Sequence, residues 1–132
     1  MTDLLNGDRY VAAYPEIRPF WEAAETGRLL LPRCRECGRH HWYPRTVCPL
    51  CGAPDIEWTP SPGRGTVYSF SIQRRSAARI VFAYVQLGEG PVLMTNIVDC
   101  DFDAVHIGMD VQVKFLRTPE GRQAPFFAPV ST

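Results

Sequence analysis

The chain has 132 residues, of which 45% are hydrophobic and 21% charged, as expected for one folded domain or two very small ones. Its 14 basic and 14 acidic residues cancel, which argues against a protein that binds nucleic acid through a strongly basic surface. No apolar run approaches the roughly 20 residues that a transmembrane helix needs, so no membrane span is predicted.

Residues 15–26 predict the first helix, because apolar residues fall at helical spacing and a glycine follows. Pro15 and Pro19 restrict its early turns, so we expect a helix in two parts. A helix this short cannot bury Phe20 and Trp21 by itself. Either it packs on the rest of the chain, or these two side chains form part of an interface with a partner protein. The sequence leaves both readings open and makes Phe20 and Trp21 the candidate interface residues.

Two Cys-x-x-Cys units with ten residues between them organise the N-terminal half. Each unit is followed by a glycine, which supplies the positive φ that a tight metal-binding turn needs. Four thiolates complete a tetrahedral site and leave no position for water, so the sequence predicts one structural zinc ion. The predicted ligands are Cys34, Cys37, Cys48 and Cys51.

Other interpretations of these cysteines are weaker. Redox or disulfide pairs are disfavoured, because two such units rarely lie so close without a metal and no βαβ pattern surrounds them. Iron fits the same thiolate cage, and the sequence does not distinguish it from zinc. His40 and His41 lie between the units, but four cysteines already fill the coordination sphere. We therefore expect the two histidines at surface or packing positions.

Residues 60–65, rich in proline and glycine, mark the best internal boundary. They divide a helix and ribbon over 1–59 from a second domain over 60–132. Turn residues separate five short strands in the second domain, at 66–73, 80–87, 92–98, 111–116 and 124–130. The sequence thus predicts a mostly β protein that ends in a small Greek-key barrel of OB type.

Side-chain patterns in the first two of these strands predict how residues divide between the two faces and how far the faces are covered. Tyr68, Phe70 and Ile72 alternate with small or polar residues, so we expect them on one face of their strand. The strand over 80–87 is mostly apolar, which predicts that both of its faces are covered.

Charge is unevenly distributed along the chain. Residues 28–79 carry nine arginines against three acids, whereas the segments before and after are each net acidic. Arginine binds phosphate or carboxylate in a bidentate fork. Arg74, Arg75 and Arg79 cluster between two predicted strands and form a candidate anion-binding group. The alternative is a solvated face balanced by nearby acids.

No catalytic site is evident in the sequence. It contains neither a glycine-rich phosphate loop nor a Gly-x-Ser-x-Gly nucleophile turn. Cys100 lies outside the ribbon, and Asp99 and Asp101 beside it would raise the pKa of its thiol and favour the inert form. His106 could reach Cys100 only through the fold. We therefore predict no catalytic residue.

Three segments carry a family resemblance: Cys34 to Gly52 with Pro44 and Arg45, Gly65 to Ser69, and Ile107 to Phe115 with its alternating valines. Together with residues 82–99, they resemble the acyl-CoA-associated zinc-ribbon/OB-fold family. Members are small partner proteins of thiolases and thiolase-like aldolases. The resemblance covers roughly residues 10–130. It implies an N-terminal helix, a rubredoxin-like four-cysteine zinc ribbon and a five-stranded OB-fold barrel.

The resemblance implies a non-catalytic accessory subunit in a hetero-oligomer with a thiolase or sterol side-chain aldolase. It would support acyl-CoA binding or transfer, and Arg74, Arg75 and Arg79 would then contact CoA phosphates. The alternative is a nucleic-acid-binding module, since zinc ribbons and OB barrels both occur there; near-neutral pI and acidic flanks disfavour it. Thiolate ligands and the lack of a signal-peptide pattern predict a reducing, cytoplasmic setting.

Overall fold

The computed structural model describes residues 7–74 and 80–130, and these form two compact units. The first unit contains the described residues up to 62 together with 115–124. The second contains the remainder of the described residues from 63 onward. Residues 115–124 fall on the C-terminal side of the predicted division into 1–59 and 60–132, yet they pack with the first unit. The division at residue 60 stays a prediction about domains.

Two short helices open the first unit: α1 over Arg9–Ala13 and α2 over Arg18–Glu25, with a 3-10 turn at Pro15–Ile17 between them. Each proline stands in the first turn of its segment, where no N–H is needed. The two-part helix predicted over residues 15–26 is therefore confirmed as the 3-10 turn followed by α2, whereas α1 was not predicted. None of the helices among residues 7–74 and 80–130 combines the length and apolarity needed to cross a membrane.

A two-stranded antiparallel ribbon follows the helices. Strand β1 spans Leu29–Cys34 and strand β2 spans Ile56–Ser61. Their register places Leu29 opposite Ser61 and Cys34 opposite Ile56. This pairing draws together the two ends of the loop that holds the four cysteines. Helix α2 packs against β1, and both contribute side chains to the buried core of the unit.

Five strands form a closed barrel in the order β3-β4-β5-β7-β6. Their bounds are β3 Arg64–Gln73, β4 Ile80–Leu87, β5 Val92–Ile97, β6 Asp110–Arg117 and β7 Gln123–Pro129. Antiparallel pairing of β3 with β6 and a parallel bridge between Ile97 and Phe127 complete the closure. The predicted five-stranded OB-type barrel is thus confirmed.

The predicted side-chain faces are wrong at two places on the barrel. A bulge between Val67 and Ser69 shifts the register of β3, so Val67 points into the core and Tyr68 is largely exposed. Strand β4 alternates regularly between buried and exposed residues, with Phe82 and Tyr84 on the exposed face. Two outward residues of β4 are aromatic. Its sequence is therefore as apolar as that of a strand covered on both faces.

Candidate metal centre

The cysteine loop folds as two nearly identical turns. In the first, Gly38 N–H donates to the carbonyl of Cys34 at 2.8 Å, and in the second Gly52 N–H donates to that of Cys48 at 2.8 Å. Both glycines have positive φ, 74° and 84°, the conformation that only glycine adopts without strain. Each Cys-x-x-Cys-Gly sequence therefore dictates its own turn.

The turns bring four sulfur atoms to within 4.8 Å of one another. Across the loop, Sγ of Cys34 and Cys51 are 3.5 Å apart, and those of Cys37 and Cys48 are 3.8 Å apart. A tetrahedral zinc with Zn–S bonds of about 2.3 Å requires sulfur separations of about 3.8 Å. The cluster fits one zinc ion with no ligand position to spare, so the predicted structural site is confirmed.

Backbone N–H groups stabilise the thiolates. Cys37 N–H lies 3.5 Å from Sγ of Cys34, and Leu50 N–H lies 3.4 Å from Sγ of Cys48. A hydrogen bond from the backbone of Arg39, assisted by its side chain, lowers the pKa of Cys37 to about 6 despite partial desolvation. The loop therefore favours the deprotonated form of Cys37, which zinc requires. At Cys51 the hydrogen bond from the Ala53 backbone is outweighed by Cys34, burial and the other two sulfurs, which raise the pKa to about 12.

Cys100 does not belong to the sulfur cluster. Burial, followed by the charge of Asp101, raises the pKa of its thiol, and Sγ contacts the Asp101 carbonyl at 3.4 Å. Both effects favour the inert thiol, as the acidic neighbours predicted.

The two histidines between the Cys-x-x-Cys turns have different surroundings. His40 Nε2 lies 3.1 Å from the Thr59 hydroxyl on β2. His41 is 4% exposed, and neither of its ring nitrogens has a hydrogen-bond partner. Burial first, and then the charge of Arg45, lowers the pKa of His41 and keeps the imidazole neutral. Neither histidine joins the metal cluster, in agreement with the prediction.

Phe20 and Trp21 belong to a chain of aromatic rings. Phe20 is 4% exposed and lies between Trp21 and Trp42, with ring centres 4.9 and 5.1 Å away. Trp21 is half-buried and also contacts the edge of Tyr10. The burial of Phe20 favours packing within the chain over its expected role in a partner interface. For Trp21 that role stays a prediction.

An ionic cluster that the sequence did not predict ties residues 115–124 to the N-terminal helices. The Asp8 carboxylate is 3% exposed and accepts from Arg122 at 2.8 Å. Glu25, 2% exposed, accepts from the Gln123 N–H at 2.7 Å and from Arg117 at 3.3 Å. The Arg122 guanidinium also lies over two aromatic rings, 5.0 Å from the centre of Tyr10 and 4.9 Å from that of Trp21.

Burial alone would raise the pKa of Asp8. The Arg122 guanidinium and the N–H groups of Val11 and Tyr10 outweigh it and hold the pKa below its ordinary value. Asp8 is also the N-cap of α1. This cap was the one sequence signal for the cluster, because an aspartate before a short apolar run is a helix start. Its partner lies 114 residues away, and nothing local in the sequence identifies it.

Of the three candidate CoA contacts, Arg75 and Arg79 lie outside the described residues. Arg74 follows β3 at the rim of an open cleft of about 640 Å³ in the second unit. Its guanidinium lies 6.0 Å from the ring centre of Phe102. Asp101 and Asp103 line the same cleft, so its described residues do not by themselves favour a phosphate.

Two family models match the chain, one on each side of residue 57. The model described as "ChsH2, rubredoxin-like zinc ribbon domain" matches residues 21–57, and "ChsH2, C-terminal OB-fold domain" matches residues 58–116. The boundary between them falls within β2. Together the matches cover the four cysteines and most of the barrel.

Curated relatives carry two kinds of name. A "Probable enoyl-CoA hydratase alpha subunit" of Thermomonospora curvata is 34% identical over 116 residues, and the match covers 83% of this chain. This chain spans only 36% of the length of that relative. A "DUF35 domain-containing scaffold protein" of Methanocaldococcus jannaschii is 32% identical over 111 residues, which is 79% of either chain.

Two solved structures are similar to this chain. A chain of the "Ltp2-ChsH2(DUF35) aldolase" superposes with a TM-score of 0.75 at 33% identity, covering 86% of this chain and 94% of that one. A DUF35 protein of unknown function from Sulfolobus solfataricus shares the fold, with a TM-score of 0.68, 17% identity and coverage of 97% and 95%. With its four-cysteine ribbon and closed five-stranded barrel, this chain belongs to the DUF35 family.

Proposed function

We propose that this chain is a non-catalytic accessory subunit that binds a thiolase-fold enzyme and supports the binding or transfer of an acyl-CoA. The likeness to a chain of the Ltp2-ChsH2(DUF35) aldolase, at 33% identity over 86% of this chain, is the observation that carries the proposal. Relatives named as scaffold proteins support an accessory role.

The chemistry of the described residues is consistent with that role. The metal centre has four protein ligands, so zinc there holds the fold and offers no open position to a substrate. Cys100 carries a raised pKa, which disfavours the thiolate that a nucleophile needs. We therefore expect the isolated chain to have no turnover of its own.

The proposal is tested by co-expressing the chain with thiolase-fold enzymes from the same organism. Size-exclusion chromatography should show one hetero-oligomer with zinc bound to this chain. The complex should cleave or thiolyse an acyl-CoA, and this chain alone should not. Turnover by the isolated chain, or a fully active enzyme that elutes separately from it, would contradict the proposal.

Direct contact with CoA is a finer part of the proposal, and it depends on Arg74, Arg75 and Arg79. Changing all three to glutamine should weaken CoA-ester binding by the complex and reduce its salt dependence, because fewer cations then face the phosphates. The matched control removes three arginines elsewhere in the chain, all at exposed positions, by the changes Arg9→Gln, Arg28→Gln and Arg45→Gln. Equal weakening in both variants would mean that only net charge matters, and unchanged binding in both would exclude the contact.

A further inference from the structure

The barrel exposes a group of large apolar side chains, here named the outer aromatic face. Its members and their exposed fractions are Tyr68 60%, Phe82 44%, Tyr84 48% and Met94 67%. Cross-strand pairing makes them neighbours, because Tyr84 lies opposite Met94 on β5 and opposite Ser69, beside the bulge, on β3. The face is built by the alternation of β4 and by the bulge that turns Tyr68 outward.

The face is large for so small a barrel. A fully exposed aromatic or methionine side chain presents about 150–250 Å², so these four expose about 400 Å² in total at the fractions above. A patch of about 300–600 Å² is the largest that an ordinary monomer carries, and such patches are often functional. One side of a standard protein interface covers about 800 Å², so the face can supply the core of one but not the whole.

Charge is nearly absent from the strands that carry the face. Arg64, at the start of β3, is the only charged residue within β3, β4 and β5. The positions around the aromatics are neutral, among them Ser71, Gln86 and Asn96. A surface that binds nucleic acid or the phosphates of CoA needs cations beside its aromatics. This face therefore fits an uncharged protein surface.

A second copy of the chain fits the face less well than a different protein does. Two such faces in contact would bury about 800 Å² in total, below the roughly 1,200 Å² at which stable interfaces begin. A larger partner can add a polar rim around the same apolar core. Aromatic residues at the centre of an interface usually dominate its energy, and an exposed methionine adapts to the facing surface.

We propose that the outer aromatic face docks onto an uncharged apolar surface of the enzyme subunit. This inference rests on the proposed function, because it presumes that an enzyme partner exists, and it deepens that function by assigning the surface that holds the partner. Tyr84 is central to the face, with Met94 beside it on one strand and the Tyr68 bulge on the other side.

The test uses the full chain co-expressed with its enzyme partner and compares two triple variants. The first carries Tyr68→Ser, Tyr84→Ser and Met94→Ser. The second, a matched control, removes three other large exposed side chains by Tyr14→Ser, Val47→Ser and Ile107→Ser, at exposed fractions of 47%, 46% and 68%. The face variant should bind the enzyme about a thousandfold more weakly, as the loss of two hot spots implies. The control should stay within about threefold of wild type.

A photo-crosslinking amino acid at position 84, with position 107 as the comparison, provides a second readout that does not depend on affinity. The proposal requires a crosslink to the enzyme from position 84. Zinc content and melting temperature should match wild type in both triple variants, because the substituted side chains are exposed.

The possible outcomes distinguish failure of the docking surface from failure of the proposed function. If wild type binds the enzyme and the face variant binds equally well without a crosslink from position 84, the face is not the docking surface while the proposed function stands. If wild type binds no enzyme, the proposed function and this inference fail together. If the isolated wild type forms a dimer that the face variant abolishes, a second copy occupies the face and the proposal is overturned.

Discussion

Replacing Arg122 by methionine should destabilise the first unit more than any other single charge removal in residues 115–124. Arg122 is 15% exposed and bonds a carboxylate that is 3% exposed, so its loss leaves Asp8 buried with a charge and no cation. Breaking a buried ion pair from one side typically costs about 3–5 kcal/mol. Methionine retains the apolar stem of the arginine and limits the packing loss.

The expected cost lies at the lower end of that range. The Asp8 carboxylate keeps its bonds from the N–H groups of Tyr10 at 2.9 Å and Val11 at 3.1 Å, which partly satisfy it. Loss of the cation–π contacts between the guanidinium and the Tyr10 and Trp21 rings adds about 1 kcal/mol. We therefore expect Arg122→Met to lower the free energy of unfolding by about 3–4 kcal/mol.

A double-mutant cycle separates the ion pair from other effects. Asp8→Asn keeps the helix cap, because asparagine accepts the same backbone bonds, and it removes only the charge. In the Asp8→Asn variant, Arg122 keeps its ion pair with Glu120 at 3.7 Å. The free energy of unfolding should therefore fall by about 1 kcal/mol. The double variant should cost at least about 2 kcal/mol less than the sum of the single variants.

Urea unfolding of the zinc-loaded chain provides the assay, followed by tryptophan fluorescence. All three tryptophans, Trp21, Trp42 and Trp58, lie in the first unit, so the signal reports on that unit. The pH dependence gives a second check. The depressed pKa of Asp8 contributes stability that is present above the ordinary aspartate pKa of about 3.9 and lost as pH falls below it. Arg122→Met removes this contribution, so the stability difference between wild type and the variant should narrow as pH falls through that range. A cost under about 0.5 kcal/mol, or additive single variants, would refute the reasoning.

Three further predictions concern zinc, backbone packing and pH. Cys37→Ser should lose the zinc and unfold the ribbon, whereas Cys100→Ser should keep one zinc per chain. Equal zinc loss in the two variants, measured by elemental analysis, would contradict the four-cysteine site. Gly65→Ala should cost about 1–3 kcal/mol in urea unfolding, because its Cβ would lie 2.5 Å from the Gln86 carbonyl, while Gly88→Ala, with 3.9 Å to its nearest atom, should cost far less. Because His41 has a lowered pKa, stability should be full above the ordinary histidine pKa of about 6.5 and fall below it. His41→Phe should flatten that slope between pH 5 and 7, and an unchanged slope would assign it to other groups.

The metal site was predictable because its geometry is local. Each Cys-x-x-Cys-Gly unit fixes its own turn, and the glycine φ values of 74° and 84° are what the motif requires. Two such turns joined by a short loop must present their sulfurs to one ion. The helix break was equally local, since a proline fixes its own φ and constrains its neighbour.

The predictions that failed depend on strand register, on exposure and on contacts between distant residues, which a local sequence pattern does not contain. The bulge separates Tyr68 from Phe70 and Ile72, with which the pattern grouped it, and no residue type there indicates an extra residue in the ladder. Phe82 and Tyr84 are apolar and exposed, so a pattern that equates apolar with buried misplaces them. The Asp8–Arg122 pair joins residues far apart in sequence, and only the completed fold shows that they meet.

The ion pairs between the N-terminal helices and residues 115–124 have a consequence for synthesis on the ribosome. The four zinc ligands are complete once Cys51 has been made, so metal can bind early. Arg122 follows on the order of 4–14 s later at about 5–20 residues per second. During that interval Asp8 and Glu25 lack the cations that hold them in the folded chain. A nascent chain arrested near residue 100 should therefore hold zinc tightly while its helices remain sensitive to protease, and translation of the β6–β7 hairpin should protect them.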